Sequence, residues 1–303
     1  MIDYKIFVKN SRKWLSQYIK DNHLQSCVLG ISGGIDSTIS ACIASSVCEE
    51  LNIPLIGRSL PTTTNKSDEN NVAILVGETF CSDFKKIPIN CDDIIHEFEL
   101  CEGKMTPLQK GNIKARYRMM YLYNLASIHR GIVLDNDNFT EWNLGFYTQH
   151  GDSPCDINLG LHYLWKTEIY ELAKYLIESY TDQAIKIYPS DIEKEASLNK
   201  KVQAIEASIR LIPTDGNGVS NSDCEQFGLD DYGQVDDVLK TMYYNQYFDE
   251  YGDVDYETKD REYVRLIDSY NEQGVDKVMI LHQNTKYKRK PAPIMPTKKE
   301  LEL

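Results

Sequence analysis

The first periodicity in the chain is helical. Between Tyr4 and Asp21, the residues Ile6, Phe7, Trp14, Leu15 and Ile19 recur at intervals that predict an amphipathic helix carrying them as its apolar stripe. Cys27-Val28-Leu29-Gly30-Ile31 then forms a short unbroken apolar run, the pattern of a strand covered on both faces. A small-residue turn follows it, and a second helical face is marked by Ile39, Cys42, Ile43 and Val47. Further strands are predicted at Ile53–Arg58, Phe84–Ile89 and Gly131–Leu134. Between them lie a helix with Val72, Leu75 and Val76 inward, a short helix over Asp92–Phe98, and a long one reaching about His129. Ile113, Tyr117, Met120, Tyr121 and Ile128 mark the apolar face of that long helix. Strands that alternate with helices predict an α/β fold, a doubly wound parallel sheet flanked by helices. Its ligands collect at the carboxyl ends of the strands, where both the small-residue turn and Asp135-Asn136-Asp137 fall.

Beyond Leu164 the pattern becomes helical, with helices predicted over Lys166–Ser179, Asp191–Ile212, Tyr232–Tyr247 and Lys259–His282. This gives an α/β core over residues 1–180 and a helical region over 181–303, together one domain. The glycine-rich stretch Pro213–Val219 suits a lid, and a plain connector fits its composition equally. The basic run Lys286–Lys290 has the composition of a solvated tail.

Charge and cysteine usage narrow the function classes. The 303 residues carry 33 Lys and Arg against 46 Asp and Glu, a net charge of −13, which argues against a nucleic-acid substrate. No stretch is long and apolar enough to span a bilayer, and the N-terminal residues lack a signal-peptide core, so no membrane association and a cytoplasmic location are expected. The eight cysteines include no Cys-x-x-Cys pair, which speaks against a zinc site, an iron–sulfur site or a disulfide framework.

The chemistry concentrates in Ser32-Gly33-Gly34-Ile35-Asp36-Ser37-Thr38. Two glycines let the backbone approach an anion, and Ser37 and Thr38 stand where N-cap and first-turn hydroxyls are expected. The turn has neither the lysine nor the spacing of a Walker A loop, nor the spacing of a dinucleotide fingerprint. Asp36 beside bound phosphates requires charge compensation, which a Mg²⁺ shared with those phosphates supplies. An ordinary surface turn is the plainer alternative; the strand before it and the amphipathic helix after it weigh against that reading.

This string resembles the pyrophosphate-binding loop of the N-type ATP pyrophosphatases, which cleave ATP to AMP and pyrophosphate while adenylating a carbonyl or carboxyl oxygen. Within that superfamily three further segments resemble NAD synthetases: Lys110–Met119, Gly145–Asp152 with Asp156 beyond it, and Lys166–Ala173. The resemblance runs from about residue 24 to 180 and returns at Pro213-Thr214, Asp236-Asp237 and Lys288-Arg289. It implies an adenine nucleotide α-hydrolase-like fold and an ammonia-dependent NAD synthetase: a ligase that amidates nicotinic acid adenine dinucleotide with ATP and ammonia.

Carried over residue by residue, the resemblance gives Ser32, Gly33, Gly34, Asp36 and Ser37 to the ATP phosphates and Asn136 to ATP. Lys166 and Thr214 are implied beside the transferring centre, and with Asp36 they form the implied catalytic set. Asp36 and Glu141 are implied as Mg²⁺ ligands. Asn112, Arg116, Phe146, Asp152 and Asp156 are implied for the dinucleotide, with Lys288 completing the closed site. A homodimer is implied as well. Almost all of the chain is used by the synthetase core, so free ammonia or a separate ammonia-donating partner is the expected nitrogen source.

The chain departs from the family where relatives have Gly-Thr-Asp or Gly-Thr-Glu and it has Asp135-Asn136-Asp137. Leu108 stands where some relatives place an aromatic, and the stretch from about Thr181 to Arg210 is longer than the usual connector. Two other readings stand beside the synthetase: an ATP pyrophosphatase adenylating a different acceptor, and a non-catalytic nucleotide-binding relative. Retention of Asp36, Glu141 and Lys166 argues against the second.

Overall fold

The computed structural model describes residues 2–153, 155–214, 216, 218–244 and 260–289. Asp215, Asn217, Tyr247, Lys259 and Lys290, which fall within the stretches predicted from sequence, lie outside the described residues. In chain order the elements are α1 (Tyr4–Asp21), β1 (Ser26–Gly30), α2 (Ile35–Leu51), β2 (Leu55–Ser59), α3 (Ser67–Phe80) and β3 (Asp83–Lys86). Then come α4 (Asp92–Glu102), α5 (Pro107–Ile128), β4 (Gly131–Asp135), α6 (Phe139–Leu144), β5 (Ile157–Asn158), α7 (Lys166–Ile187) and α8 (Ile192–Arg210). The last five are α9 (Asp223–Phe227), α10 (Tyr232–Tyr244), α11 (Asp260–Ser269), α12 (Glu272–Asn284) and α13 (Lys286–Arg289).

The strands form one parallel sheet in the order β3-β2-β1-β4-β5. Side chains alternate across it, and each face has its own core. Cys27, Leu29, Leu55, Ile132 and Leu134 pack with α1, α2, α3, α7 and α8, whereas Val28, Ile56 and Val133 pack with Met119, Leu122 and Ala126 of α5. Strand order reverses between β1 and β4, which fixes the crevice for ligands at their carboxyl ends.

Two predicted helix faces are corrected. In α1 the buried residues are Val8, Leu15, Ser16 and Ile19, while Ile6 and Trp14 are half exposed. Ile6 is half a turn out of phase with Leu15, so the true stripe runs through Val8. In α5, Met120 and Ile128 are exposed, and the inward face is Gly111, Lys114, Ala115, Met119, Leu122 and Ala126. Small residues at four-residue intervals bring α5 close to the sheet, where a Cβ on Gly30 would meet the Leu122 side chain at 3.3 Å. The helix predicted over Lys259–His282 is two helices, because Asn271 caps α12 by accepting from the Gly274 N–H at 2.7 Å.

Contacts group the chain into two compact units, residues 1–139 with 147–226 and residues 140–146 with 227–303. The first holds the sheet. In the second, Phe227, Val235, Val238, Leu239, Val275 and Val278 are buried. There Asp236 accepts from the Thr140 hydroxyl at 2.5 Å, and Phe146 meets Phe227 edge-on at 4.8 Å. Among the described residues no helix is long and apolar enough to cross a membrane.

Candidate active site

The turn after β1 is built around Gly33, whose φ of +90° disfavours any side chain. A Cβ there would lie 2.8 Å from the Glu69 carbonyl oxygen and 2.9 Å from the Ala73 nitrogen, so the backbone of α3 closes on the loop. Gly34, not Ser37, is the N-cap of α2, and it makes no side-chain cap bond. The hydroxyls of Ser37 and Thr38 turn back to the Gly34 carbonyl at 3.0 and 2.9 Å, and Ser32 Oγ shares a hydrogen bond with Ser37 Oγ at 3.1 Å. The first-turn N–H groups of α2 lack intrahelical partners by geometry, which makes this end an anion cradle.

Asp36 sits in that first turn, with its side chain 14% exposed. Its Oδ2 accepts from Lys166 Nζ at 2.5 Å and its Oδ1 from Asn138 Nδ2 at 2.9 Å. Lys166 opens α7 and its side chain is 4% exposed, so this ion pair is sheltered from water. Three elements thus converge: the loop after β1, the segment after β4 and the start of α7. Asn136 Nδ2 donates to the Gly30 carbonyl at 3.4 Å, while its Oδ1 is buried with no hydrogen-bond partner among the described residues. Asn138 was not singled out by sequence; its place three residues beyond the fourth strand, beside a turn rich in carboxylates, was the only available signal.

A second group gathers where α5 meets the Thr148–Asp156 segment. Asn112 Oδ1 accepts from the Thr148 hydroxyl at 2.8 Å, and Arg116 Nε donates to the Gln149 carbonyl at 3.2 Å. Asp152 accepts from the Thr148 N–H at 2.5 Å. Asp156 accepts from the Val133 N–H at 2.9 Å and the Tyr123 hydroxyl at 3.1 Å. The four residues implied for the dinucleotide in this unit therefore stand together. Lys114 is buried and donates to Thr64 Oγ1 at 3.2 Å, and Arg118 donates to Leu60 O at 3.0 Å and Asn65 Oδ1 at 3.1 Å.

Thr214 donates to Glu69 Oε1 at 2.7 Å, while Glu69 Oε2 accepts from Asn65 and the Lys66 N–H, both at 3.2 Å. Glu69 was missed by sequence, although its third position in α3 is a capping-box position. Glu141, Phe146 and Lys288 belong to the second unit. There the Glu141 carbonyl accepts from the Phe146 N–H at 2.9 Å, and Lys288 Nζ donates to the Gly145 carbonyl at 2.6 Å.

Asp135 and Asp137, placed by sequence at the ligand-collecting end of the fourth strand, are joined by His162, which sequence missed, with the donor atoms of all three within 4.8 Å of one another. His162 Nε2 lies 4.0 Å from Asp135 Oδ1. Burial depresses the imidazole pKa, and the Asp135 charge opposes that shift only in part. The thiol of Cys155 is pushed well up, first by burial and then by the charges of Asp135, Asp137, Asp152 and Asp156.

A phosphate cradle at a sheet switch point, a sheltered Asp–Lys pair at its lip and a carboxylate-lined segment beside it suit a nucleotide and a hydroxyl-bearing second substrate. Comparison with known proteins agrees. The chain is 31% identical over 244 residues to an NH(3)-dependent NAD(+) synthetase of Thermoplasma volcanium, covering 80% of this chain and 86% of the relative. It is 33% identical over 177 residues to the like-named protein of Finegoldia magna, covering 58% and 70%. In fold it is similar to NMN synthetase from Francisella tularensis, with a TM-score of 0.69, 23% identity and coverage of 98% and 100%. The NAD synthase profile matches residues 7–292, and with the loop, the ion pair and the α5 face in place, this chain belongs to the NAD synthase family.

Proposed function

We infer that this protein is an ammonia-dependent NAD synthetase, converting nicotinic acid adenine dinucleotide, ATP and ammonia to NAD, AMP and pyrophosphate. The observation that carries the reading is the Asp36–Lys166 pair at the lip of the α2 cradle, within a chain matched by the family over residues 7–292. The nicotinate carboxylate attacks the α-phosphorus of ATP; an oxygen–phosphorus bond forms, and the bond to the β-phosphate breaks with pyrophosphate leaving. Ammonia then adds to the activated carbonyl carbon, a proton leaves the nitrogen, and AMP departs.

In the first step the N–H groups at the start of α2 and the hydroxyl of Ser37 receive the phosphates. Lys166, whose ammonium now faces Asp36, supplies the positive charge that the α-phosphoryl group needs as bonds exchange. Asn136 offers its buried Oδ1 as an acceptor to an amino or hydroxyl group of the nucleotide. Asn112, Arg116, Asp152 and Asp156 hold the dinucleotide, whose sugar hydroxyls match carboxylate acceptors.

Mg²⁺ fits the donor set. Asp36 is a hard oxygen donor whose two oxygens each accept one bond and keep a further lone pair, and Mg²⁺ typically uses one or two carboxylates plus phosphates. Asp36 and Glu141 are the residues that would hold it, and the chemistry it would supply is neutralisation of the phosphate charge. Phe146, Thr214 and Lys288 complete the site in this reading, the enzyme works as a cytoplasmic homodimer, and ammonia arrives free or from a separate partner.

The test is direct. Purified protein is given Mg-ATP, ammonium and either nicotinic acid adenine dinucleotide or nicotinic acid mononucleotide, and the amide product and AMP are followed together by mass spectrometry. NAD and AMP appearing in equal amounts is the expected result. Turnover of the mononucleotide alone overturns the dinucleotide acceptor and leaves the adenylation chemistry standing; no turnover of either overturns both.

A further inference from the structure

Asp135 is the last residue of β4. The carboxylate is 2% exposed and takes up three donors. Its Oδ1 accepts from the Asp137 N–H at 2.8 Å, and its Oδ2 accepts from the Ser153 hydroxyl and the Cys155 N–H, both at 3.2 Å. Ser153 is wholly buried. From the other side the segment is tied to α5 through Thr148 and Gln149, and a Cβ on Gly151 would lie 2.8 Å from the Thr148 side chain and 3.1 Å from Ala115 Cβ. Asp152 is therefore suspended between two fixed points, and Asp156 follows directly after the second.

We propose that Asp135 is a positioning residue for the acceptor substrate: its buried carboxylate fastens Ser153 and Cys155 to the end of β4 and so sets the placement of Asp152 relative to Asp156, which the Val133 N–H and Tyr123 hydroxyl hold separately. The inference rests on the acceptor-binding role given above to those two aspartates. A glycine at this position leaves the segment without that strut. The hydrogen bonds specify a carboxylate. Each oxygen faces a backbone N–H, and an amide side chain, with one acceptor and one NH₂, opposes donor to donor in either orientation.

The experiment compares wild type, Asp135→Asn and Ser153→Ala in steady-state kinetics with the acceptor and ATP varied separately. In Asp135→Asn the KM for the dinucleotide rises about tenfold, the size expected when one buried bond is replaced by opposed donors. Its kcat stays within about threefold and its KM for ATP does not move, because the cradle at α2 is untouched. Ser153→Ala shifts the same constant by a smaller factor. An unchanged acceptor KM in both variants overturns the proposal, and so does a fall in kcat with both KM values unchanged. If wild type fails to turn over the dinucleotide, the activity reading falls first, and amide hydrogen exchange decides the positioning claim. Asp135→Asn then speeds exchange in peptides covering 147–156 and not in those covering α2; equal protection in both variants and wild type overturns it.

Discussion

Asp36 has two jobs that pull in different directions. As an anion at the mouth of a phosphate cradle it invites a cation, and in the ligand-free fold that cation is Lys166, held at 2.5 Å with both side chains largely out of water. Removing one partner of such a pair strands the other, at a cost of about 3–5 kcal/mol. Asp36→Ala is thus expected to lose stability as well as pyrophosphate release, and Asp36→Ala with Lys166→Met to recover most of the stability and none of the activity. Urea unfolding beside a pyrophosphate assay reads both. A double variant as unstable as the single one would refute the pairing argument. Gly33 gives a second test at this scale. An alanine there takes a φ of +90° and places its Cβ 2.8 Å from a carbonyl oxygen of α3, a strain of about 1–3 kcal/mol before the neighbours move. Gly33→Ala should unfold at lower urea and bind ATP at least tenfold more weakly in calorimetry, whereas Gly34→Ala, with φ at −64° and only the Ser32 hydroxyl within 3.4 Å, should be milder on both counts.

At the scale of elements, the strands and the glycine turn before α2 were legible because their signals are local: apolar runs bounded by turn residues, then glycines at the start of a helix. The inward faces of α1 and α5 were legible only in part: Phe7, Leu15, Ile19, Ile113, Tyr117 and Tyr121 do pack inward. The rest of the stripes rests on Val8, which was passed over, and on Ser16, Gly111, Ala115 and Ala126, small or polar residues that carry little hydrophobic signal yet decide how near a helix lies to the sheet. The long connector over Thr181–Arg210 also acquires a reason. It extends α7 and forms α8, whose Ser208 shares a 2.7 Å hydrogen bond with Thr38, and the Thr38 hydroxyl in turn contacts the Gly34 carbonyl of the phosphate loop. The sheet edge is braced by charge. Arg58 of β2, 3% exposed, donates through both terminal nitrogens to Asp83 of β3, and those hydrogen bonds hold the Asp83 pKa below its ordinary 3.8. A depressed carboxylate contributes stability that is complete above its unfolded pKa and disappears as pH falls through the folded one. Asp83→Asn should therefore be less stable than wild type at pH 7, by about 1 kcal/mol because Asp83 is partly open to solvent, and should converge with it below pH 3.8. Urea titrations at both pH values measure the gap; a gap that persists in acid would show that shape, not charge, was lost.

For the whole molecule, the informative contrast is between the two compact units: each holds an imidazole whose pKa is depressed by burial, but Asp135 opposes the shift of His162 in the first, whereas Arg289 adds to that of His282 in the second. In the first unit Asp83 begins to matter only below 3.8. The second unit buries His282, whose pKa falls to about 3, chiefly by burial and further by the Arg289 charge, with a hydrogen bond from the ring to the Asn143 backbone carbonyl opposing. An imidazole that must stay neutral when folded and protonates when unfolded makes the unit lose stability as pH falls below 6.5, by about 1.4 kcal/mol per pH unit until its folded pKa near 3. The fold therefore contains a unit that weakens between pH 6.5 and 4 beside one whose brace is still intact, and unfolding of a chain with two units need not be two-state. Calorimetry should show transitions that lie close together at pH 7.5 and separate at pH 5, the lower one belonging to residues 140–146 and 227–303. His282→Gln removes the titrating group: its lower transition should keep the same midpoint at both pH values, whatever the substitution costs at pH 7.5. On the roles proposed for Glu141, Phe146 and Lys288, which belong to the second unit, synthetase activity should decline with that lower transition. Activity that survives the lower transition would place the chemistry within the first unit alone.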